Sequence, residues 1–243
     1  MYYYIFELSK ELGGIKFLDR TKEILSDLGI SGEIVVPTAA RPAEELALMG
    51  IEKGYSSIVV VGSEKLVNRV ASVLQNNLEV SMGIVPTNPK SSLHEIIGSK
   101  DLVSALKVLT EHSIKYINLG LIEPNKYFLN KAYVFAPKPT NINFQIDNSY
   151  RGAAIVTQAI ISSDLTLELE SETKQGVLSL IASSIKGSKP KLLKSKLKAQ
   201  QKIEINTLRP LPVVSEREII AQTPIKVTFK SQVLKIIVSR DRI

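Results

Sequence analysis

Residues 57–74 read SIVVVGSEKLVNRVASVL. Ile58-Val59-Val60-Val61 is a β-branched apolar run of the kind buried on both faces of a parallel sheet. Gly62-Ser63 makes a turn, and Leu66, Val70, Val73 and Leu74 then recur at helical spacing over 64–75. A helix N-terminus after a glycine turn offers free backbone N–H groups and a partial positive charge, and phosphates bind there readily. Ser63 is also a good N-cap, a purely structural role. Glu64 suits the helix dipole but repels a phosphate set against the same N–H groups, and Lys65 offsets that charge. One glycine followed by Ser-Glu-Lys is neither the dinucleotide fingerprint nor the P-loop spacing. Taken alone, the stretch reads as strand, structural turn and helix.

Its neighbours extend the pattern. Strand-like runs at Tyr2–Leu8, Glu33–Val36 and Met82–Val85 flank the one at Ser57–Val61. Helical spacing is found over Phe17–Leu28, Pro42–Lys53 and Leu102–Glu111, with Gly29 and Gly54 as C-terminal stops. Strands separated by helices of about ten residues indicate parallel β-α units with helices covering the sheet. From about residue 121 the texture changes. Short β-like runs dominate: Tyr127–Val134, Ile142–Ile146, Ala153–Ile161, Leu165–Leu169, Val177–Ile181, Ile203–Asn206, Ile225–Phe229 and Val233–Val238. Pro137, Pro139, Asp147-Asn148 and Gln175-Gly176 read as turns between them. The expectation is two domains: a parallel α/β domain over 1–122, with helices on both faces, and an antiparallel β-sandwich over 123–243.

Composition narrows the chemistry. The chain has 243 residues, 44% of them hydrophobic and 23% charged, as expected of a soluble globular protein. It has no cysteine, so disulfides, thiolate metal sites and a cysteine nucleophile are excluded. Two histidines, His94 and His112, are too few for a histidine-built metal site. No apolar run approaches the roughly 20 residues that span a bilayer, and MYYYIFEL lacks the basic start of a signal peptide. The protein is expected in the cytoplasm. Its net charge of +7 permits a loose attraction to anionic lipid or nucleic acid.

Several segments together resemble the catalytic domain of the diacylglycerol kinase family, which includes sphingosine kinases and bacterial lipid kinases. Gly62-Ser63-Glu64-Lys65-Leu66 stands where that family has Gly-Gly-Asp-Gly-Thr, and Val67-Asn68-Arg69-Val70 where it has Leu-Asn-Glu-Val. GIVPTNPKSS at 83–92 stands for the family's Gly-Ile-Ile-Pro-x-Gly-Thr-Gly-Asn-Asp. Ile117-Asn118-Leu119-Gly120 and Tyr127-Phe128-Leu129-Asn130 resemble the crossover into its β-rich domain, and Glu216-Arg217-Glu218 with Gln222-Thr223-Pro224 resembles Asp-Gly-Glu followed by Glu-Thr-Pro. The likeness covers nearly the whole chain and implies a site in the cleft between two domains. It implies ATP and Mg2+ as cofactors. Thr38, Gly62, Ser63, Lys65, Lys90 and Ser91 would contact the nucleotide, Glu64 and Glu216 would hold magnesium, and Glu218 would be the base that removes a lipid hydroxyl's proton.

The departures fall where that family does its chemistry. Its glycine loops wrap backbone around phosphates, and side chains obstruct that approach. Here the first loop keeps only Gly62, the second loses every glycine after Gly83, and the Asn-Pro-x-Ser-Gly turn after the first strand is missing. Phosphoryl transfer rests on positioning and electrostatics, so these losses slow or abolish it. Two readings follow: a slow, ATP-dependent lipid kinase of the diacylglycerol kinase type, or a non-catalytic pseudokinase that binds a partner or membrane. An NAD kinase ranks third, because no Asn-Glu pair in the second domain is placed for a nicotinamide dinucleotide.

Seven lysines at 186, 189, 191, 194, 196, 198 and 202 form a basic run. It reads as a solvated face, or as a weak attachment to anionic headgroups at the inner membrane face, with Leu192-Leu193 and Leu197 inserting if the run is helical. Nucleic acid is disfavoured, because no aromatics are interleaved. His94 is expected on a helix surface. The exposed edges of the β domain allow a homodimer.

Overall fold

The computed structural model describes residues 1–8, 13–111, 113–171, 193–215 and 218–242. The chain forms two compact units, Met1–Ile117 with Ser231–Ile243, and Asn118–Lys230.

The first unit is built on a parallel sheet of β1 (Tyr2–Phe6), β2 (Gly32–Val35), β3 (Ser57–Gly62) and β4 (Ser81–Pro86), in the order β4-β3-β1-β2. Ile58, Val59, Val60 and Val61 are fully buried, as a strand covered on both faces must be. From β1 the chain moves outward through α1 (Ile15–Asp27) to β2. It then returns through α2 (Ala43–Glu52) to β3 and through α3 (Glu64–Leu74) to β4. Right-handed crossovers running in opposite directions put their helices on opposite faces. Accordingly α2 packs on α3, and α1 packs on α5 (Leu102–Glu111). Between β4 and α5 lies the short helix α4 (Leu93–Ile97). The direction of winding reverses between β1 and β3. Open parallel sheets hold ligands beyond the carboxyl ends of the strands at such a reversal.

Two long side chains tie this unit down. The Tyr2 hydroxyl donates to the Leu109 carbonyl at 2.7 Å. Arg69 on α3 forks onto Glu44 on α2, with Nε to Oε1 at 2.6 Å and Nη2 to Oε2 at 2.5 Å. His94 lies inside rather than on a helix surface: it is buried on α4, and its Nδ1 shares a hydrogen bond with the Ser99 hydroxyl at 2.6 Å. His112 lies outside the described residues.

The second unit is antiparallel. Its strands β7 (Lys131–Ile146), β8 (Tyr150–Ser162), β9 (Thr166–Ser171), β10 (Leu193–Lys198), β11 (Lys202–Thr207) and β14 (Ile225–Val238) run in the order β10-β9-β8-β7-β11-β14. β12 (Pro212–Ser215) joins β7 and pairs with β13 (Glu218–Gln222). β5 (Ser113–Ile122), which carries the chain in from the first unit, pairs with β6 (Lys126–Phe128). One apolar cluster fills the interior, with Phe128, Val134, Ile142, Val156, Ile203 and Val227 among its members.

Three sequence expectations change here. Pro137 and Pro139 do not end a strand: β7 runs through both. Its pairing with β8 slips between Phe135 and Thr140, so the prolines sit where no ladder donor is needed. Residues 225–238 form one strand, β14, where two were expected, with Gln232 at φ 53° in its middle. Its first half pairs with β11, and Ile236 pairs with Met82 of β4, so the chain's end returns to the first unit instead of staying with 123–230. The expected run at Val177–Ile181 lies outside the described residues.

Candidate functional site

The residues at the ends of β1, β3 and β4 meet around Gly62. On one side the Glu7 N–H donates to the Val61 carbonyl at 2.8 Å, extending β1 alongside β3. On the other, Gly62 pairs with Pro86, and the Thr87 N–H donates to the Gly62 carbonyl at 3.2 Å. The two loops likened to phosphate loops, 62–66 and 87–92, therefore lie side by side.

Several of their N–H groups are engaged by the chain itself. The Ser63 N–H donates to Glu7 Oε2 at 2.5 Å. The Leu66 N–H donates to the Ser63 hydroxyl at 3.4 Å, so Ser63 is an N-cap as its residue type suggests. In the second loop the Lys90 N–H donates to Asn88 Oδ1 at 3.0 Å, an Asx turn. The Ser91 N–H donates to the Asn88 carbonyl at 3.0 Å, and the buried Ser91 hydroxyl accepts from the Leu93 N–H at 3.3 Å.

Gly62 owes its identity to Glu7. A Cβ at 62 would stand 2.7 Å from Glu7 Oε2, 2.8 Å from Glu7 Cβ and 2.9 Å from Leu66 Cδ2. The space beside Gly62 and Ser63 is filled by a carboxylate of the same chain. Glu7 is the residue beside this turn that the sequence reading missed. Its only signal was its position, directly after β1 and level with the end of the VVVG strand.

The other expected site residues are distributed as follows. Glu64, likened to a magnesium ligand, is buried, only 4% exposed. Lys65 and Lys90 are exposed. Thr38 is not grouped with the two loops: its hydroxyl accepts from the Arg41 N–H at 3.1 Å, and it lines a cavity between β2 and α2 that none of the other expected site residues reaches. Glu218 is exposed at the start of β13 in the second unit, and Glu216 lies outside the described residues. No group of three or more His, Asp or Glu side chains that could hold a metal ion occurs among the described residues.

The basic run also takes a different form. Residues 193–198 are a strand, not a helix. Lys194 pairs with Glu170 at 2.6 Å, Lys196 with Glu168 at 3.1 Å and Lys198 with Asp164 at 3.5 Å. Leu197 packs against the interior cluster, so it is not available to insert into a membrane. Lys186, Lys189 and Lys191 lie outside the described residues. No helix among the described residues is long and apolar enough to cross a membrane.

No family model matches the sequence, and no curated protein matches it either. Solved structures do. A diacylglycerol kinase from Bacillus anthracis strain Sterne superposes with a TM-score of 0.71 at 14% identity, over 100% of this chain and 98% of that one. An NAD kinase from Archaeoglobus fulgidus, in complex with ATP, gives 0.58 at 13% identity, over 100% and 95%. A yeast NADH kinase complexed with NADH gives 0.53 at 10% identity, over 99% and 84%. With an α/β unit of parallel strands, a β-rich antiparallel unit and likeness over its full length, the chain has the fold of the diacylglycerol kinases and NAD kinases.

Proposed function

We propose that this protein is a non-catalytic relative of the lipid kinases, which keeps their fold as a binding scaffold and has closed the phosphate site with its own carboxylate. One observation carries the reading: Glu7 Oε2 accepts the Ser63 N–H at 2.5 Å, at the helix N-terminus where an anionic ligand would seat. A carboxylate in that position repels phosphate and takes the Ser63 N–H from it. The residues present do not fit ATP and magnesium there. The Lys90 and Leu93 N–H groups are used by Asn88 and Ser91, and no group of three or more acidic or histidine side chains that could hold a metal ion occurs among the described residues. The pairing of Lys194, Lys196 and Lys198 with acids favours a protein partner over an anionic membrane, because those charges are balanced on the strand.

The test is calorimetric titration of Mg·ATP into the full chain, wild type and Lys90→Ala. No heat at millimolar nucleotide is expected from either, with both folded by circular dichroism. Micromolar binding by the wild type that weakens in Lys90→Ala would sink the reading and return the protein to the kinases.

A second reading, a slow ATP-dependent lipid kinase, is supported by the exposed Glu218 at the start of β13. In that case Glu218→Gln loses phosphorylation of a diacylglycerol substrate with the fold intact. A scaffold shows no phosphorylation in either protein.

A further inference from the structure

The first unit contains a cavity of about 430 Å3, walled by β2, the following loop and α2. Its polar lining is unevenly satisfied. Glu33 accepts from Lys53 Nζ at 2.6 Å and from the Tyr55 hydroxyl at 3.1 Å, so these three groups satisfy one another. Lys53 Nζ also stands 5.6 Å from the centre of the Tyr3 ring, and the Tyr3 and Tyr55 rings lie 5.1 Å apart. Two groups are left over. Tyr3 is fully buried on β1, yet its hydroxyl has no hydrogen-bond partner. Arg41 is exposed at the cavity, and its guanidinium makes no hydrogen bond or ion pair with any described residue.

A buried hydroxyl without a partner is uncommon, because it gives up its bonds to water and gains none. It marks a place where something else completes the bonding. Apart from Thr38, whose hydroxyl already accepts from the Arg41 N–H, the remaining lining is apolar, with Val35 on β2 and Leu46 and Met49 on α2. An unpaired guanidinium, an unmet phenol donor and an aliphatic wall in a cavity of ligand size together specify an amphipathic anion. We propose that this cavity binds a small acid with an aliphatic tail, a carboxylate or phosphate monoester. Its acid group meets Arg41 and the Tyr3 hydroxyl, and its chain lies against Val35, Leu46 and Met49. Burial raises the Tyr3 pKa, which keeps the phenol protonated as a donor. No residue of the loops at 62–66 and 87–92 lines this cavity, though Thr38, expected to contact a nucleotide, does.

The test uses octanoate, octyl phosphate and octanol as probes, titrated by calorimetry into the full chain and into Arg41→Ala and Tyr3→Phe. Both acids are expected to bind, with octanol weaker by about tenfold or more. Each variant is expected to lower acid affinity by about tenfold, the loss of one hydrogen bond to a charged group. Tighter binding of octyl phosphate assigns the headgroup as a phosphate monoester, and tighter binding of octanoate as a carboxylate. Tyr3→Phe adds a readout that a merely structural hydroxyl would not give: its melting temperature without ligand should equal or exceed the wild type's, since no bond is lost. The proposal is overturned by absence of heat from both acids at millimolar concentration, by octanol binding as tightly as the acids, or by wild-type affinity in either variant. A large drop in the melting temperature of Tyr3→Phe overturns it equally, because the hydroxyl would then be satisfied within the free protein.

Discussion

Glu7 Oε2 accepts a hydrogen bond from the Ser63 N–H at 2.5 Å, and a side chain at the intervening Gly62 would stand 2.7 Å from that same oxygen. The carboxylate caps α3 from outside the helix, in the position an anionic ligand would take. The strand-end turn and Glu7 are thus one device, and substitutions at either should report on the other.

Replacing Glu7 by alanine removes the acceptor of the Ser63 N–H and empties the position, with the Ser63 cap still in place. A loss of stability of about 1 kcal/mol is expected, typical of an N-terminal cap. The vacated N–H groups should also become responsive to added anion. Thermal unfolding with and without sulfate checks this: Glu7→Ala should be stabilised by sulfate more than the wild type. Equal sulfate responses would count against Glu7 as the occupant of an anion site. Glu7→Gln, which keeps an acceptor without charge, should fall between them.

Gly62→Ala should cost about 1–3 kcal/mol by overpacking against Glu7 and Leu66. Part of that cost should disappear in a Glu7→Ala background, which removes the 2.7 Å approach to Glu7 Oε2 and leaves those to the Cβ of residue 7 at 2.8 Å and to Leu66 Cδ2 at 2.9 Å. Urea denaturation of the two single variants and the double variant measures the coupling. Strict additivity would contradict the contact.

The Glu44–Arg69 fork predicts a pH effect of defined sign. The Arg69 hydrogen bonds hold the Glu44 carboxyl below its ordinary range. A depressed folded pKa contributes stability above the unfolded value, about 4.3, and loses it as pH falls through the lower folded value. Both side chains are more than a third exposed, at 39% and 38%, so screening limits the contribution to about 1 kcal/mol or less. The stability gap between wild type and Arg69→Ala should be largest near neutral pH and close below the unfolded value. Denaturant titrations at several pH values follow it. A gap that widens in acid would contradict the assignment.

Asp147 holds the connection between β10 and β11. Its carboxylate accepts from the backbone N–H groups of Gln200 at 3.0 Å, Gln201 at 2.7 Å and Lys202 at 3.0 Å. The Gln200 N–H is the foremost cause of its lowered pKa. Its contribution is therefore present above the unfolded value and lost as pH falls through the folded one. Asp147→Asn should cost about 1–2 kcal/mol, since charge-assisted bonds become neutral ones at a partly solvated site. Hydrogen exchange at residues 200–202 should quicken in that variant. Unchanged protection there would show that the three N–H groups have other partners.

Much of the first unit was legible in its sequence. Ile58–Val61 has too many consecutive β-branched residues for a half-exposed strand, and the spacing of Leu66, Val70 and Leu74 admits one helix face; all seven are buried. The second unit was less legible. A proline reads as a break, yet Pro137 and Pro139 sit at a slip in the β7–β8 pairing, and nothing local marks where a ladder slips. The lysines of β10 read as a free basic run because their partners, Glu170 and Glu168 across the strand pair and Asp164 in the turn before β9, are distant in sequence.

The candidate site divides along the same line. The sequence by itself determined that the loops at 62–66 and 87–92 keep no glycine but Gly62, and that Ser63 could cap a helix, because residue type and spacing decide both. Only the tertiary structure decided what occupies the cap. Glu7 reaches Ser63 because β1 and β3 are adjacent and parallel, with Phe6 level with Val61. Glu7 and Ser63 are 56 positions apart, and the residues between them carry no trace of that register. The cavity beside Tyr3 and Arg41 is likewise a product of packing: a tyrosine's residue type cannot tell whether its hydroxyl will be met, since that depends on what the fold brings within hydrogen-bond reach.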